Sequence, residues 1–150
     1  MNLREWVEQH SDDLKAEQPR AAVIADLLAV ADREIGDAES VLSDDGRLEH
    51  AFAACLAISA AALLACGYRT RHGAPSHHYL LIESLGHTLG LRAADVKELH
   101  DYRKKRSRSM YEKVGLITST EAAAALEAGR SLRQQLTAWL TQNHADLTQT

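Results

Sequence analysis

The longest apolar segment of the chain is AFAACLAISAAALLAC, which spans residues 51 to 66 and consists largely of alanine. Its sixteen residues fall short of the roughly 20 that a helix needs to cross a bilayer, and charged residues flank it on both sides. Small side chains also let neighbouring helices approach closely. The segment therefore predicts the central helix of a soluble bundle rather than a membrane span.

Apolar residues on both sides of this segment recur at the three-to-four spacing of amphipathic helices. The predicted elements are a short first helix over 3–14, a helix over about 24–42, a loop at SDDG (43–46), a central helix over about 47–68, a loop RTRHGAPS (69–76), a helix over 77–89, a helix over about 93–114 that Gly115 stops, and a last helix after Thr118. Pro19 is placed to open the second helix, and Ser76 is placed to cap the N-terminus of the helix over 77–89. Thr118 and Glu121 match a capping box.

The composition also favours helix. The 150 residues include two prolines and many alanines, leucines and glutamates, and they contain no period-two strand pattern, internal repeat or low-complexity tail. Hydrophobic residues at 45% and charged residues at 25% are ordinary for one globular domain. The fold class is therefore predicted to be all-α, with five or six helices joined by short connections.

The cysteines and the N-terminus predict a cytoplasmic protein. On one helix, Cys55 and Cys66 would lie about 16 Å apart, which is too far for a mutual disulfide, so reduced thiols are expected. The opening residues MNLREWVEQHSDD place acids where a signal peptide needs an apolar run. No targeting segment and no membrane association are predicted.

A strongly basic stretch, RKKRSRSMY at 103 to 111, stands out in a chain whose net charge is −4. The apolar stripe of its helix continues through two arginines, whereas Lys104, Lys105 and Arg108 fall off that stripe. The residues on the stripe are Val96, Leu99, Arg103, Arg106, Met110, Lys113 and Ile117. Arginines on the inner face of a helix need carboxylate partners, a water-filled cleft or an anionic ligand.

Two interpretations of Arg103 and Arg106 remain open at this point. They form structural ion pairs, or their stems pass along the core while their charged ends reach water. Alternatively, they bind an anion. The acids considered as ion-pair partners are Glu34, Asp37, Glu39 and Asp44.

Several blocks in a fixed order make the chain resemble a HEPN domain, the helical family named for higher eukaryotes and prokaryotes nucleotide-binding. The blocks are DAESVLSDDGRLEHAFAACLAISAAALLACGYR, the HH pair at 77 and 78 that opens a helix, DYRKKRSRSMY, and the WL pair at 139 and 140 of the last helix. The resemblance covers residues 24 to about 147.

The resemblance implies a single HEPN-like domain with an up-and-down four-helix-bundle core, one or two additional short helices, and residues 1–18 as an N-terminal helical extension. HEPN domains dimerise so that two copies of one helix line a shared cleft. Many are metal-independent RNases of toxin–antitoxin and antiviral systems, often encoded beside a nucleotidyltransferase, and others are inert partners. An RNA or nucleotide ligand, a nucleotidyltransferase or antitoxin partner, and no cofactor are therefore expected.

The active motif of the family is an arginine, four to six residues, and then a histidine, frequently with asparagine directly after the arginine. Arg106 matches the arginine, Ser107 stands at the asparagine position, and Tyr111 stands where histidine is expected. Metal-free RNA cleavage needs a proton acceptor that titrates near neutral pH. With a reference pKa of about 10, tyrosine is a poor base, but it can stack on a nucleobase.

Other residues around the motif are candidates for supporting roles. His100 lies one turn before Arg103, and His77 with His78 opens a neighbouring helix, where the pair either approaches Arg106 or holds the adjacent loop. Tyr102 and Arg103 are candidate ligand-binding residues on the basic helix. Tyr68, Arg69 and Arg71 either extend a phosphate-binding surface or interact with the C-terminal end of the central helix.

Three classes of function follow. The leading prediction is a homodimeric binding module for RNA, a nucleotide or a partner protein, because the alanine-rich helix and the interrupted stripe offer surface for a second copy. The first alternative is an endoribonuclease that uses Arg106 with Tyr111 or His100. The second is a structural scaffold with paired arginines. The histidines and cysteines lack metal-ligand spacing, so no metal is expected.

Overall fold

A computed structural model describes residues 1–41, 43–74 and 76–148, without the side chain of Tyr111. Its elements are α1 (Leu3–Gln9), β1 (Leu14–Ala16), α2 (Ala21–Ser40), α3 (Asp44–Ala65), β2 (Tyr68–Thr70), α4 (His77–Ser84), α5 (Ala93–Tyr111), α6 (Ser119–Asn143) and a 3-10 helix (Ala145–Thr148). The predicted all-α class is confirmed.

Helix α3 is the centre of the bundle. It packs mainly against α2 and α6 and also against α4 and α5, and most of its alanines are buried. By length and composition α3 is apolar enough to cross a membrane, but 72% of its most apolar window is buried inside the chain. This burial is typical of the core helix of a soluble protein. Both cysteines are free thiols, and burial raises the pKa of Cys55 to about 12.

The SDDG cluster begins α3 instead of forming the predicted loop. The Oγ atom of Ser43 accepts a hydrogen bond from the N–H of Gly46 at 3.0 Å, and Asp44 and Asp45 occupy the first turn. Serine and aspartate favour both turns and helix N-termini, where carboxylates also interact well with the helix dipole, so composition did not separate the two cases. Leu42 lies outside the described residues.

A two-stranded antiparallel sheet was missed by the sequence analysis. Strands β1 and β2 pair Leu14 with Thr70, Lys15 with Arg69 and Ala16 with Tyr68. Residues 1–18 therefore contain only one short helix, and Leu14 belongs to a strand rather than to the first helix. Gly67, at a φ of +94°, ends the central helix earlier than predicted and turns the chain into β2. Strands of three residues are too short to show a period-two pattern.

The small sheet is held against the bundle by a second, smaller core. Trp6 and Val7 of α1 and Leu14 of β1 are buried against Leu63 of α3 and Leu80 of α4. This packing fixes β2, and with it the approach to the first turn of α4.

The other helix boundaries place the basic stretch on a helix of the expected length. Helix α5 ends at Tyr111, and Gly115, at a φ of +83°, donates its N–H to Asp45 Oδ2 at 2.9 Å. The capping box of Thr118 and Glu121 is present at the start of α6, as predicted. Ser76 stands at the N-cap of α4, but its side chain makes no capping hydrogen bond.

Candidate functional site

The basic stretch presents two different faces. Lys104 and Arg108 are exposed and Arg103 and Arg106 are half-buried, as the stripe predicted, but Lys105, which was placed off the stripe, is half-buried as well. Lys105 pairs with Glu121 of α6. Met110 was placed on the same stripe but is exposed.

Arg103 and Arg106 contact aromatic rings rather than carboxylates. The Cζ atom of Arg106 lies 6.0 Å from the ring centre of Phe52, a buried residue of α3, and that of Arg103 lies 5.5 Å from the ring centre of Tyr79. Within residues 1–41, 43–74 and 76–148, neither guanidinium group forms a salt bridge. Two positive charges are therefore held on the inner side of α5 without a neutralising partner in the described chain.

Three of the four acids considered as partners make other contacts. Glu34 binds Arg33 and His50, Glu39 binds Arg130, and Asp44 accepts a hydrogen bond from Ser119. Glu34, Asp37 and His50 form the one group among the described residues whose ligand atoms approach within the 4.8 Å suited to a shared metal ion. Arg33 and His50 already occupy the oxygens of Glu34, so an ion pair accounts for this group.

The two arginines line an open cleft of about 410 Å³ between the start of α4 and the side of α5. The residues of this cleft are Ala74, Ser76, His77, His78, Tyr79, Arg103, Arg106 and Ser107. The first turn of α4 adds the positive end of its helix dipole to the two guanidinium charges. We call this region the α4–α5 cleft, and its charge and hydrogen-bond donors suit an anion.

His78 lies in the cleft next to Arg106. Its ring meets the Phe52 ring edge-on, with 6.2 Å between the centres, so His78 and Arg106 approach the same buried aromatic. Neither nitrogen of the His78 ring is hydrogen bonded to another described residue. Burial lowers the pKa of His78, and the positive charges of Arg106, His77 and Arg103 lower it further. The ring is therefore neutral near pH 7 and able to accept a proton.

His77 has a more structural position. Its Nδ1 lies 2.6 Å from Thr70 Oγ1 of β2, which ties the first turn of α4 to the sheet, and burial lowers its pKa. The two histidines thus divide the roles that the sequence left open. His77 holds the loop before α4, and the His78 ring faces the arginines.

His100 is engaged on both ring nitrogens. Nε2 lies 2.7 Å from Glu83 Oε1, and Nδ1 accepts a hydrogen bond of 3.3 Å from Nε of Arg103. Since Nδ1 accepts, the proton resides on Nε2 and points towards Glu83. The residue is 8% exposed and stacks on Tyr79 with 4.7 Å between ring centres. His100 therefore orients Arg103 and is poorly placed to exchange protons with a ligand.

The remaining predicted residues differ in their access to the cleft. Tyr102 is 5% exposed, and its hydroxyl donates to Glu98, so the structure places it in the core and away from the cleft. Burial, reinforced by Glu98, raises its pKa. Ser107 is exposed and lines the cleft, and Arg69 is exposed on β2 outside it. The side chain of Tyr111 lies outside the described part.

Sequence reasoning missed Tyr79 as a member of the site. It follows the histidine pair directly and is 44% exposed although its neighbours Leu80 and Leu81 are buried. An aromatic residue on the polar side of a short helix was the available signal.

Comparison with protein-family models, with curated proteins and with solved structures found no match for this chain.

Proposed function

We propose that the chain is a HEPN-like binding module that holds a phosphate of a nucleotide or of RNA in the α4–α5 cleft. The observation that carries the proposal is the pairing of Arg103 and Arg106 on one cleft wall without a carboxylate among the described residues. A guanidinium group binds phosphate through two parallel hydrogen bonds, and a helix N-terminus adds favourable potential. An anion supplies the negative charge that the surrounding side chains do not.

The biological setting of this proposal comes from the HEPN resemblance. It comprises a cytoplasmic protein of a toxin–antitoxin or defence system, a homodimer with two copies of α5 at a shared cleft, and a nucleotidyltransferase or antitoxin partner. Burial of the alanine-rich α3 inside one chain removes that helix from the dimer surface. The exposed apolar side chains of Met110, near the end of α5, and of Val114, just after it, support a dimer contact at the cleft instead.

Calorimetric titration with mononucleotides in EDTA buffer tests the proposal. The informative variant is Arg106→Gln, and Arg108→Gln is the matched control, because it removes the same charge from the same helix outside the cleft. Arg108 is exposed and pairs with Glu112. We expect weaker binding for Arg106→Gln alone. Absence of binding by the unaltered protein, or equal loss in both variants, argues against the cleft. Light scattering at micromolar concentration tests the dimer.

A second candidate function is metal-independent RNA cleavage, and the position of His78 favours it. In such a reaction, His78 accepts the proton of a 2′-hydroxyl, the 2′-oxygen bonds to phosphorus, and the bond to the 5′-oxygen breaks while that oxygen takes a proton from water. Arg106 stabilises the charge that develops on the phosphoryl oxygens. His78 thus takes the role that the HEPN motif gives to the residue at position 111.

Incubation of the protein with total RNA in EDTA distinguishes binding from cleavage. If the protein is an RNase, both His78→Gln and Arg106→Gln abolish cleavage, whereas Arg108→Gln leaves it intact. If the protein is a binding module, the RNA stays whole with every variant. If cleavage survives His78→Gln but is lost in Tyr111→Phe, the proton acceptor is Tyr111, the residue at the position that the motif indicates, and not His78.

A further inference from the structure

The small sheet carries two like charges directly opposite each other. Lys15 of β1 and Arg69 of β2 are register partners, so their side chains project from the same face of the sheet. Like charges in this arrangement destabilise a sheet. Neither residue forms a salt bridge with any carboxylate in the described ranges. The chain's own described contacts do not offset this repulsion, and a bound anion would do so.

Arg71 continues this basic surface towards α4. Its Nε donates to the main-chain carbonyl of Ser11 at 3.1 Å, which fixes the side chain while leaving both terminal nitrogens of the guanidinium group available. The residue is exposed. The side chain is thus held in place by one hydrogen bond while the terminal nitrogens of its guanidinium group face solvent.

The surface around β2 is continuous with the α4–α5 cleft. A hollow of about 420 Å³ is lined by Arg69, Arg71, His72 and His77 and shares Ala74 and His77 with the cleft. A second hollow, of about 380 Å³, shares Arg69 and is lined by both the basic Arg20 and the acidic Glu17. We call the pair of Arg69 and Arg71, which His77 connects to the cleft, the β2 strip.

We propose that the β2 strip is a second phosphate-binding subsite, so that the protein binds a single-stranded nucleic acid of several nucleotides more tightly than a mononucleotide. The proposal rests on the proposed function, because the strip leads into the α4–α5 cleft and extends it. Basic residues that track a backbone beside exposed rings are typical of single-strand binding. Here His72 in the hollow and Tyr79 in the cleft provide exposed rings.

The test compares a mononucleotide with a single strand of about eight nucleotides for the full chain in EDTA. The variant is Arg69→Gln/Arg71→Gln, and the control is Arg33→Gln/Arg92→Gln, which removes the same charge from arginines that pair with Glu34 and Asp95 away from the strip. We expect the strip variant to lose about tenfold in affinity for the strand and to reduce the salt slope by about 1.4. Its mononucleotide affinity should stay within about twofold of the unaltered protein, because the cleft is intact.

Arg69→Gln alone protects the test against a folding defect. Arg69 faces Lys15 and makes no side-chain hydrogen bond or salt bridge within the described chain. This change should therefore leave the melting temperature equal or higher while still weakening binding of the single-stranded nucleic acid. The proposed subsite is wrong if the single-stranded nucleic acid and the mononucleotide bind equally well, or if the control loses as much affinity as the strip variant. Either result leaves the proposed phosphate site in the α4–α5 cleft unaffected. A preference for duplex over single strand also overturns the inference. Absence of binding to either ligand overturns the proposed function as well.

Discussion

Replacing Arg106 by alanine separates a ligand-binding arginine from a structural one. In a buried ion pair, removal of one partner costs about 3 to 5 kcal/mol because it strands the other charge. Arg106 has no carboxylate partner among the described residues and contacts the face of Phe52 at 6.0 Å. Such a contact contributes about 0.5 to 1 kcal/mol where it is partly exposed. Some packing of the side-chain stem is lost as well.

We therefore expect Arg106→Ala to lower the free energy of unfolding by about 1 kcal/mol, part of which is offset by reduced repulsion with Arg103. The effect on ligand affinity should be larger. A hydrogen bond to a charged group contributes about 1.5 to 3 kcal/mol, which corresponds to roughly a 10- to 150-fold weaker phosphate complex. The ligand affinity of Arg106→Lys should lie between those of the unaltered protein and of Arg106→Ala, because lysine keeps the charge but not the two-pronged geometry.

Urea denaturation and calorimetric titration of the same preparations provide both quantities. Arg108→Ala serves as the control, since it removes a charge from an exposed residue of the same helix. The reasoning is refuted if Arg106→Ala loses more than about 3 kcal/mol of stability while affinity is unchanged. That result would mean that a structural partner of Arg106 had been overlooked.

Three further predictions concern stability. Between about pH 7.5 and 5.5 the free energy of unfolding should fall on acidification, because the lowered pKa of His78 makes the unfolded chain bind more protons, and urea titrations of His78→Gln should show a shallower fall. Tyr102→Phe should cost about 0.5 to 1.5 kcal/mol by losing its bond to Glu98, and calorimetric titration should find phosphate affinity unchanged; a weakened complex would return Tyr102 to the site. Gly36→Ala should raise stability by about 0.5 to 1 kcal/mol in urea denaturation, since an added methyl in the middle of α2 meets nothing within 4 Å, and a loss would reveal an unseen contact.

The helical class and the central position of the alanine-rich segment were readable from the sequence because they depend on local properties. Side-chain size and periodicity act within a few residues, and the capping box of Thr118 and Glu121 is complete within one turn. The half-burial of Arg103 and Arg106 followed from the same helical spacing. Local signals failed where one residue type serves two conformations, as in the Ser-Asp-Asp-Gly cluster that begins α3.

The composition of the α4–α5 cleft was decided by tertiary structure alone. Nothing in the spacing of residues 78 and 106 indicates that both side chains approach Phe52, because that contact depends on how α4 and α5 pack on α3. The same packing encloses Tyr102, engages His100 with Glu83, and places β2 beside the cleft. The sequence determined which residues share one helix face, since a helix repeats every 3.6 residues. Only the three-dimensional arrangement of the helices determined which faces meet, because contacts between elements distant in the chain arise from packing of the whole core.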